Sequence, residues 1–342
     1  MGLFKRKVSW IGVAAVAGIA GATVARRLLQ PKLDLRDKII LITGGSRGLG
    51  LALAQEFGRV GARLALCARD LHELQTACDR LAERGVEAVP FRCDITDEIQ
   101  IQDLVRDVIT RFGRIDILVN DAGQIKVGPL DSFEQADFEE AMDVMFWGPL
   151  KLTFALLPHM RSRGSGQIVN ITSVGGRVSV PHLLPYSCAK FALVGFSTGL
   201  STELRSEGVD VVTVIPGLMR TGSYLNAKFT GVAKDEFAWF ALLGNLPGFS
   251  IAASHAAKCV RRAVETRRHT CTISLPANLL IRCEAFLPEI TRNVFEAANR
   301  LLLPRKSSGK TAVSGKALEP DFNPIFKGLT ALGKMAAREL NE

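Results

Sequence analysis

Lys38-Ile-Ile-Leu-Ile-Thr-Gly-Gly-Ser-Arg-Gly-Leu-Gly50 is the stretch whose reading decides the fold. Residues 38–42 form a short apolar run that reads as a buried strand, and Leu49 to Phe57 reads as a helix, so Gly44, Gly48 and Gly50 fall in the turn between them. Glycines there let the backbone come close to a pyrophosphate at a helix N-terminus, where unpaired N–H groups and the helix dipole favour an anion. The spacing is Gly-x-x-x-Gly-x-Gly rather than the commoner Gly-x-Gly-x-x-Gly, and a lone glycine turn can simply reverse the chain. The strand-and-helix setting raises the case for a nucleotide.

From this turn onward, short apolar runs alternate with helical patterns. Strands are expected at 38–43, 63–67, 87–91, 115–119, 167–172, 209–215 and 271–275. Seven strands interleaved with helices predict an α/β, doubly wound, Rossmann-like parallel sheet in a single domain over 37–275. An N-terminal hydrophobic helix (1–36 with its basic flanks) and a C-terminal helical extension (276–342) complete the expectation. Ligands of such sheets sit beyond the carboxyl ends of the strands.

With 47% hydrophobic and 23% charged residues, the 342-residue chain can bury one large core and is no disordered protein. The formal charge of +9 is concentrated at the start: residues 1–36 hold seven basic groups and one acid, leaving 36 basic against 33 acidic groups elsewhere. No stripe of interleaved basic and aromatic residues is present, so no nucleic-acid partner is expected. The seven cysteines (67, 78, 93, 188, 259, 271 and 283) are scattered singly, which fits reduced thiols on the cytosolic side and no metal site.

Residues 8–25 carry no charge and lie between Lys5-Arg6-Lys7 and Arg26-Arg27. Eighteen helical residues span roughly 27 Å, close to a bilayer core. A membrane anchor, single-pass or interfacial, is the first reading, with the catalytic domain facing the cytosol. A cleaved signal peptide ending at Thr23-Val24-Ala25 is the competing one, disfavoured by the arginines that follow. Arg6 stands where a myristoylation signal has Ser or Thr.

Residues 218–249 bring Tyr224, Phe229, Phe237, Trp239, Phe240 and Phe249 after the sixth strand. They either pack this insertion on the body or form a lid over an apolar substrate. From 276 to 304 an apolar stripe recurs at helical spacing, open to three roles: packing on the core, resting on a membrane surface, or burying a partner. The tail from Lys306 is polar and is expected to be mobile.

Tyr186 and Lys190 are four residues apart in a helical stretch and therefore share a face. A nearby ammonium favours phenolate and is expected to lower the tyrosine pKa, which suits proton exchange near neutral pH. Ser173, at the end of the fifth strand, is placed to hydrogen-bond an oxygen whose charge changes. Together with the glycine turn, these residues make the chain resemble a short-chain dehydrogenase/reductase of the Thr-Gly-x-x-x-Gly-x-Gly and Tyr-x-x-x-Lys type, over about residues 38–275.

The resemblance implies that Gly44, Ser46, Arg47, Gly48, Leu49 and Gly50 hold the pyrophosphate. It further implies that Asp94 and Ile95 lie at the adenine, that Asn120, Ala122 and Gly123 line the groove, and that Pro216, Gly217 and Thr221 approach the nicotinamide. Ser173 would orient the substrate oxygen, Tyr186 would exchange the proton, and Lys190 would hold the ribose hydroxyls while tuning Tyr186. A homodimer through the helices around Lys190 is implied as well. Two departures stand out. Asp121 replaces the usual asparagine beside Asn120, and Met145 falls where the family's proton relay has an asparagine, although a thioether cannot donate a hydrogen bond.

The end of the second strand reads Cys67-Ala68-Arg69, without the acid that would accept from a ribose 2′-hydroxyl. Arg69 and Arg47 can instead clamp a 2′-phosphate, so the expected cofactor is NADP(H). The function expected is an NADP(H)-dependent oxidoreductase that interconverts a carbonyl and a secondary or primary alcohol on a lipophilic small molecule of steroid, retinoid or long-chain ketone type. Met145 and Asp121 motivate an alternative, a membrane-associated NADP(H)-binding scaffold or sensor with little turnover.

Overall fold

Ile39–Thr43 (β1) is buried at every position, as the apolar run 38–42 requires of a strand covered on both faces. A computed structural model describes residues 31–304 and 309–342, and the stretch 8–25 read as a membrane anchor lies outside them. β1 pairs in parallel with Arg63–Ala68 (β2), which pairs with Ala88–Arg92 (β3). On its other edge β1 meets Ile117–Asn120 (β4), followed by Gly166–Ile171 (β5), Val209–Pro216 (β6) and Thr270–Ile273 (β7). The seven-stranded order β7-β6-β5-β4-β1-β2-β3 reverses between β1 and β4. A crevice opens at that switch, beyond the carboxyl ends of the strands.

Gly48–Gly58 (α1) follows β1 directly. Leu71–Ala82 (α2) starts at Asp70, whose carboxylate accepts from the N–H groups of His72 and Glu73. Glu98–Phe112 (α3) starts at Asp97 in the same way and ends at Gly113, with φ of 80°. Gln135–Met142 (α4) leads through a wide turn at Asp143–Trp147 into Gly148–Ser162 (α5), and Leu184–Glu203 (α6) carries the Tyr-x-x-x-Lys pair. α3, α5 and α6 cover one face of the sheet, where Ile101, Leu104, Val108, Leu152, Leu156 and Leu200 pack on Leu118, Ile168 and Val211.

The insertion holds a helix at Ala233–Asn245 (α7) and two short strand pairings. Leu218–Arg220 pairs with Ser250–Ala252, and Lys228–Phe229 joins Lys126–Val127 and Val313–Ser314 in a three-stranded sheet. The last pairing corrects the expectation of a mobile tail. Residues 309–342 are woven into the insertion, with Phe322 and Phe326 packed on Phe237, and end in the helix Ala331–Glu339. Short apolar residues spaced among polar ones gave too weak a periodicity to reveal this. The insertion aromatics divide likewise: Tyr224, Phe229 and Phe237 are buried as packing, whereas Phe249 is exposed.

The stripe beyond 276 forms two helices, Leu275–Phe286 (α9) and Pro288–Leu301 (α10), preceded by Ala253–Glu265 (α8). Leu275, Leu279, Phe286, Ile290, Val294 and Leu301 are exposed, so most of the stripe faces away from the core. Among the described residues no helix is long and apolar enough to cross a membrane.

Asp116, just before β4, clamps the foot of the sheet. Its carboxylate accepts from the Ile39 N–H at 2.9 Å, from Arg114 Nε at 2.9 Å and from Arg163 Nη2 at 2.7 Å. Burial alone would raise its pKa, but Arg163, the Ile39 amide and Arg114 together hold it below the ordinary carboxylate value. Its folded-state pKa is therefore depressed. The stabilisation is complete above the unfolded value of about 3.9 and is lost as pH falls through the lower folded value. Asp116→Asn is expected to cost about 2 kcal/mol at pH 7 in urea unfolding, a gap that closes as the pH drops below about 3.9.

Candidate active site

The ends of β1, β2, β4, β5 and β6, the segment after β3 and the helices α1 and α6 build the site. At the end of β1, the Thr43 hydroxyl accepts from the Asp121 N–H at 3.1 Å and the Ala122 N–H at 3.2 Å, binding the loop after β4 to the glycine turn. Gly44 has a φ of +71°, and a Cβ there would press on Ala122 Cα at 3.0 Å. A Cβ on Gly50 would collide with the Gly44 carbonyl oxygen, so α1 can begin this close to β1 only with glycine. α1 starts with neither a side-chain cap nor an acid in its first turn. Its leading N–H groups therefore form a ready anion site.

Ser46 and Leu49 are buried in this turn. Arg47 pairs with Glu73 of α2 at 3.3 Å, and Ser46 Oγ donates to the other oxygen of the same carboxylate at 3.4 Å. Arg69 is exposed at the end of β2. The neighbouring Asp70 is committed to capping α2. Asp94 accepts from the N–H and hydroxyl of Thr96, at 3.0 and 2.8 Å, while Ile95 packs against Gly148.

Asn120 is buried at the end of β4 and donates to Asn170 Oδ1 at 2.8 Å, yet its own Oδ1 has no partner. The polar chain continues from Asn170 Nδ2 to Ser197 Oγ at 3.0 Å and on to Thr213 Oγ1 at 2.7 Å, crossing from β4 to β6 beneath the site. Gly123 lies against Met145, with 3.6 Å between a built Cβ and the sulfur. Pro216 ends β6, and the Gly217 N–H donates to the Ile273 carbonyl at 3.1 Å. Thr221 is buried, and its hydroxyl accepts from the Ser223 N–H at 3.1 Å.

Ser173 follows β5, and its Oγ accepts from the Gly175 N–H at 3.0 Å. The Tyr186 ring, from the first turn of α6, lies against Gly175, which has no side chain to keep it away from Ser173. Lys190 is buried one turn further on and donates from Nζ to the Ile171 carbonyl at 2.9 Å. The ammonium stands 5.8 Å from the centroid of the Tyr186 ring. The structure thus brings Ser173, Tyr186 and Lys190 together beside the glycine turn, with Met145 packed on Tyr186 from the wide turn before α5.

The electrostatics differ from the expectation that Lys190 acidifies Tyr186. Burial pushes the phenol up; Ser173 opposes this through its hydrogen-bonding influence, and Asp121 adds to it. Lys190 is itself lowered by burial, with Asp121 pulling the other way. Asp121 is raised by burial and by Glu342, against Lys190 and the Gly50 N–H. In this enclosed cluster the cost of desolvating each charge exceeds the benefit of the one nearby countercharge.

Two groups went unnoticed in the sequence. Glu236 of α7 is fully buried and bridges His182 Nδ1 at 2.8 Å and Trp239 Nε1 at 2.7 Å, tying the insertion to the loop just before Tyr186. An acid directly before Phe237, Trp239 and Phe240 was the available signal. The other group is Leu340-Asn341-Glu342, which reaches the glycine turn from the far end of the chain; nothing in its local sequence announces that contact. Among the described residues no group of three or more His, Cys, Asp or Glu side chains could hold a metal ion.

Comparison with known proteins agrees with this geometry. The family model for short chain dehydrogenase matches residues 38–228. The dehydrogenase/reductase SDR family member 7B of Danio rerio is 33% identical over 227 residues, covering 64% of this chain and 74% of its own. A putative ketoacyl reductase of Streptomyces coelicolor is 37% identical over 187 residues, covering 54% and 72%. The crystal structure of a metagenomic short-chain oxidoreductase in complex with NADP superposes with a TM-score of 0.57 at 27% identity, covering 71% of this chain and 97% of that one. With more than half its length matched by the family model, and with the glycine turn and the Tyr-x-x-x-Lys pair converging on one cleft, the chain belongs to the short-chain dehydrogenase/reductase family of oxidoreductases.

Proposed function

We propose that this enzyme uses NADP(H) to interconvert a carbonyl and an alcohol on a lipophilic substrate, with Ser173, Tyr186 and Lys190 as its catalytic residues. The observation that carries the reading is the meeting of Ser173, Tyr186 and Lys190 beside an uncapped helix N-terminus lined by glycines. The turn fits a dinucleotide: glycine at 44 and 50 lets α1 and the loop after β4 close up on the end of β1, and no side chain of the helix caps its first N–H groups. Ser46, Arg47, Gly48 and Leu49 would hold the pyrophosphate, Asp94 and Ile95 the adenine, Asn120, Ala122 and Gly123 the groove side, and Pro216, Gly217 and Thr221 the nicotinamide end. When bound, the nicotinamide supplies or takes up the hydride.

Burial keeps the Tyr186 phenol protonated at neutral pH, which suits it to give a proton to a carbonyl oxygen in the reductive direction. Ser173 Oγ, beside that phenol, is placed to hydrogen-bond the same oxygen as negative charge develops on it. Lys190 spends one of its three N–H donors on Ile171, leaving two for ribose hydroxyls. Val180, Trp239 and Phe240, partly buried in the same apolar cluster as Tyr186, support a lipophilic substrate.

Arg69 at the end of β2 and Arg47 in the turn support NADP(H) over NAD(H), because Asp70 is occupied at the α2 cap and leaves no free acid to greet a 2′-hydroxyl. The name of the NADP-bound relative points the same way. Exposed Trp147, Phe154 and Phe191 around α5 and α6 favour a homodimer through that face. Attachment to a membrane through residues 8–25, with the catalytic domain facing the cytosol, rests on their uncharged run and basic flanks. A monomer in sedimentation equilibrium, or full-length protein remaining in the soluble fraction, would overturn the respective point. Met145 against Tyr186 favours a second reading, a scaffold that binds NADP(H) with little turnover.

NADPH consumption measured over lipophilic ketones and aldehydes separates the two readings. Tyr186→Phe is expected to lower kcat by about 10²- to 10⁴-fold while leaving NADPH affinity in place. Tight NADPH binding without turnover on any carbonyl would favour the scaffold instead. Arg69→Asp is expected to weaken NADPH by about 10- to 100-fold with little effect on NADH in fluorescence titration. An unchanged preference would remove Arg69 from cofactor choice.

A further inference from the structure

Residues 331–342 lie across the cleft. In the helix Ala331–Glu339 and just beyond it, Ala337 and Leu340 are buried. The Gly48 N–H donates to the Leu340 carbonyl at 2.9 Å, and Asn341 Nδ2 donates to the carbonyls of Ser46 at 3.2 Å and Glu73 at 3.4 Å. The Glu342 carboxylate stands against Gly48, accepts from Asn226 Nδ2, and is close enough to Arg47 and Asp121 to interact electrostatically with both. The opposite wall is touched too. A Cβ on Gly222 would meet Ala337 Cβ at 2.5 Å and Glu342 Cβ at 3.0 Å.

The chemistry of these contacts is specific. The start of α1 offers N–H groups without a partner inside the helix and a positive dipole end, with no side-chain acceptor of its own. Leu340 brings a carbonyl to the first of those N–H groups, and Glu342 brings a negative charge to the same turn. A pyrophosphate asks for the same amides at the same place. One N–H on Gly48 cannot serve both, and Glu342 leaves no room over Gly48 for a phosphate oxygen.

We propose that Leu340-Asn341-Glu342 is an internal ligand of the glycine turn that competes with the dinucleotide and must leave when the pyrophosphate enters. The inference rests on the NADP(H) reading given above. Coenzyme binding and release of residues 340–342 then form one equilibrium, and the apparent affinity for NADPH is reduced by the fraction of molecules in which the segment is docked. The same helix presents Gly333 to Asn245 and Tyr224 of the insertion, where a Cβ would meet the Tyr224 ring at 2.9 Å. Release at the glycine turn therefore also loosens the segment that backs the apolar cluster, coupling coenzyme occupancy to the substrate side of the cleft.

Two measurements on the full chain test this. In hydrogen exchange, saturating NADPH is expected to raise exchange in residues 331–342 while lowering it in residues 44–50. In fluorescence titration, Glu342→Ala and the double variant Asn341→Ala/Glu342→Ala are expected to tighten NADPH binding by about 5- to 10-fold, with Glu342→Gln intermediate. NADPH binding at unchanged affinity in all three variants, with 331–342 still protected, would overturn the inference and leave the cofactor reading standing. Failure of wild type and all variants to bind NADPH or NADH would overturn the cofactor reading, and the inference with it.

Discussion

The backbone crossing at Gly44 and Gly50 is the constraint on which the rest of this structure depends. α1 begins almost in contact with the end of β1, because Gly50 sits on the Gly44 carbonyl with no room for a Cβ. That proximity aims the N-terminus of α1 at the crevice where the strand order reverses. Parallel pairing of β1 with β4 sets Thr43 beside the loop after β4, so one hydroxyl fixes two neighbouring peptide N–H groups. A side chain at Gly50 would push α1 off the end of β1, and one at Gly44 would press on Ala122 in the loop after β4.

Beneath this crossing, polar side chains are buried in a connected set. Asn120, Asn170, Ser197 and Thr213 run from β4 to α6 and β6, and Lys190 is anchored on Ile171 at the end of β5. Buried groups of this kind hold position tightly because a broken bond leaves an unsatisfied partner at a cost of about 1–3 kcal/mol. Their enclosure sets the ionisation of the site as well. Tyr186 is raised, Lys190 is lowered and Asp121 is raised, each primarily by burial. Burial thus shifts each of these groups toward its neutral form.

The periphery is fastened by a different device. Glu236 joins His182 and Trp239, so the insertion helix is tied by a polar bridge to the loop that precedes Tyr186. The segment 309–342 adds a second fastening through Val313–Ser314, Phe322 and Phe326, and then reaches the glycine turn with Leu340 and Asn341. The insertion, the loop that precedes Tyr186 and the glycine turn are consequently parts of one packed unit.

The sequence by itself determined the sheet and the placement of its motifs. Apolar runs at 38–43, 63–67 and 209–215 are buried strands because their side chains have nowhere to go but between two layers of helices. The four-residue spacing of Tyr186 and Lys190 put them on one helix face for equally local reasons. What only the tertiary structure decided were the terms that depend on distant neighbours. Burial, which no spacing reveals, reversed the expected direction of the Tyr186 shift. Glu236 found His182 across 54 residues, and Asn341 found Ser46 across 295. Such pairings depend on where two remote pieces of backbone come to lie, and local periodicity carries no record of that.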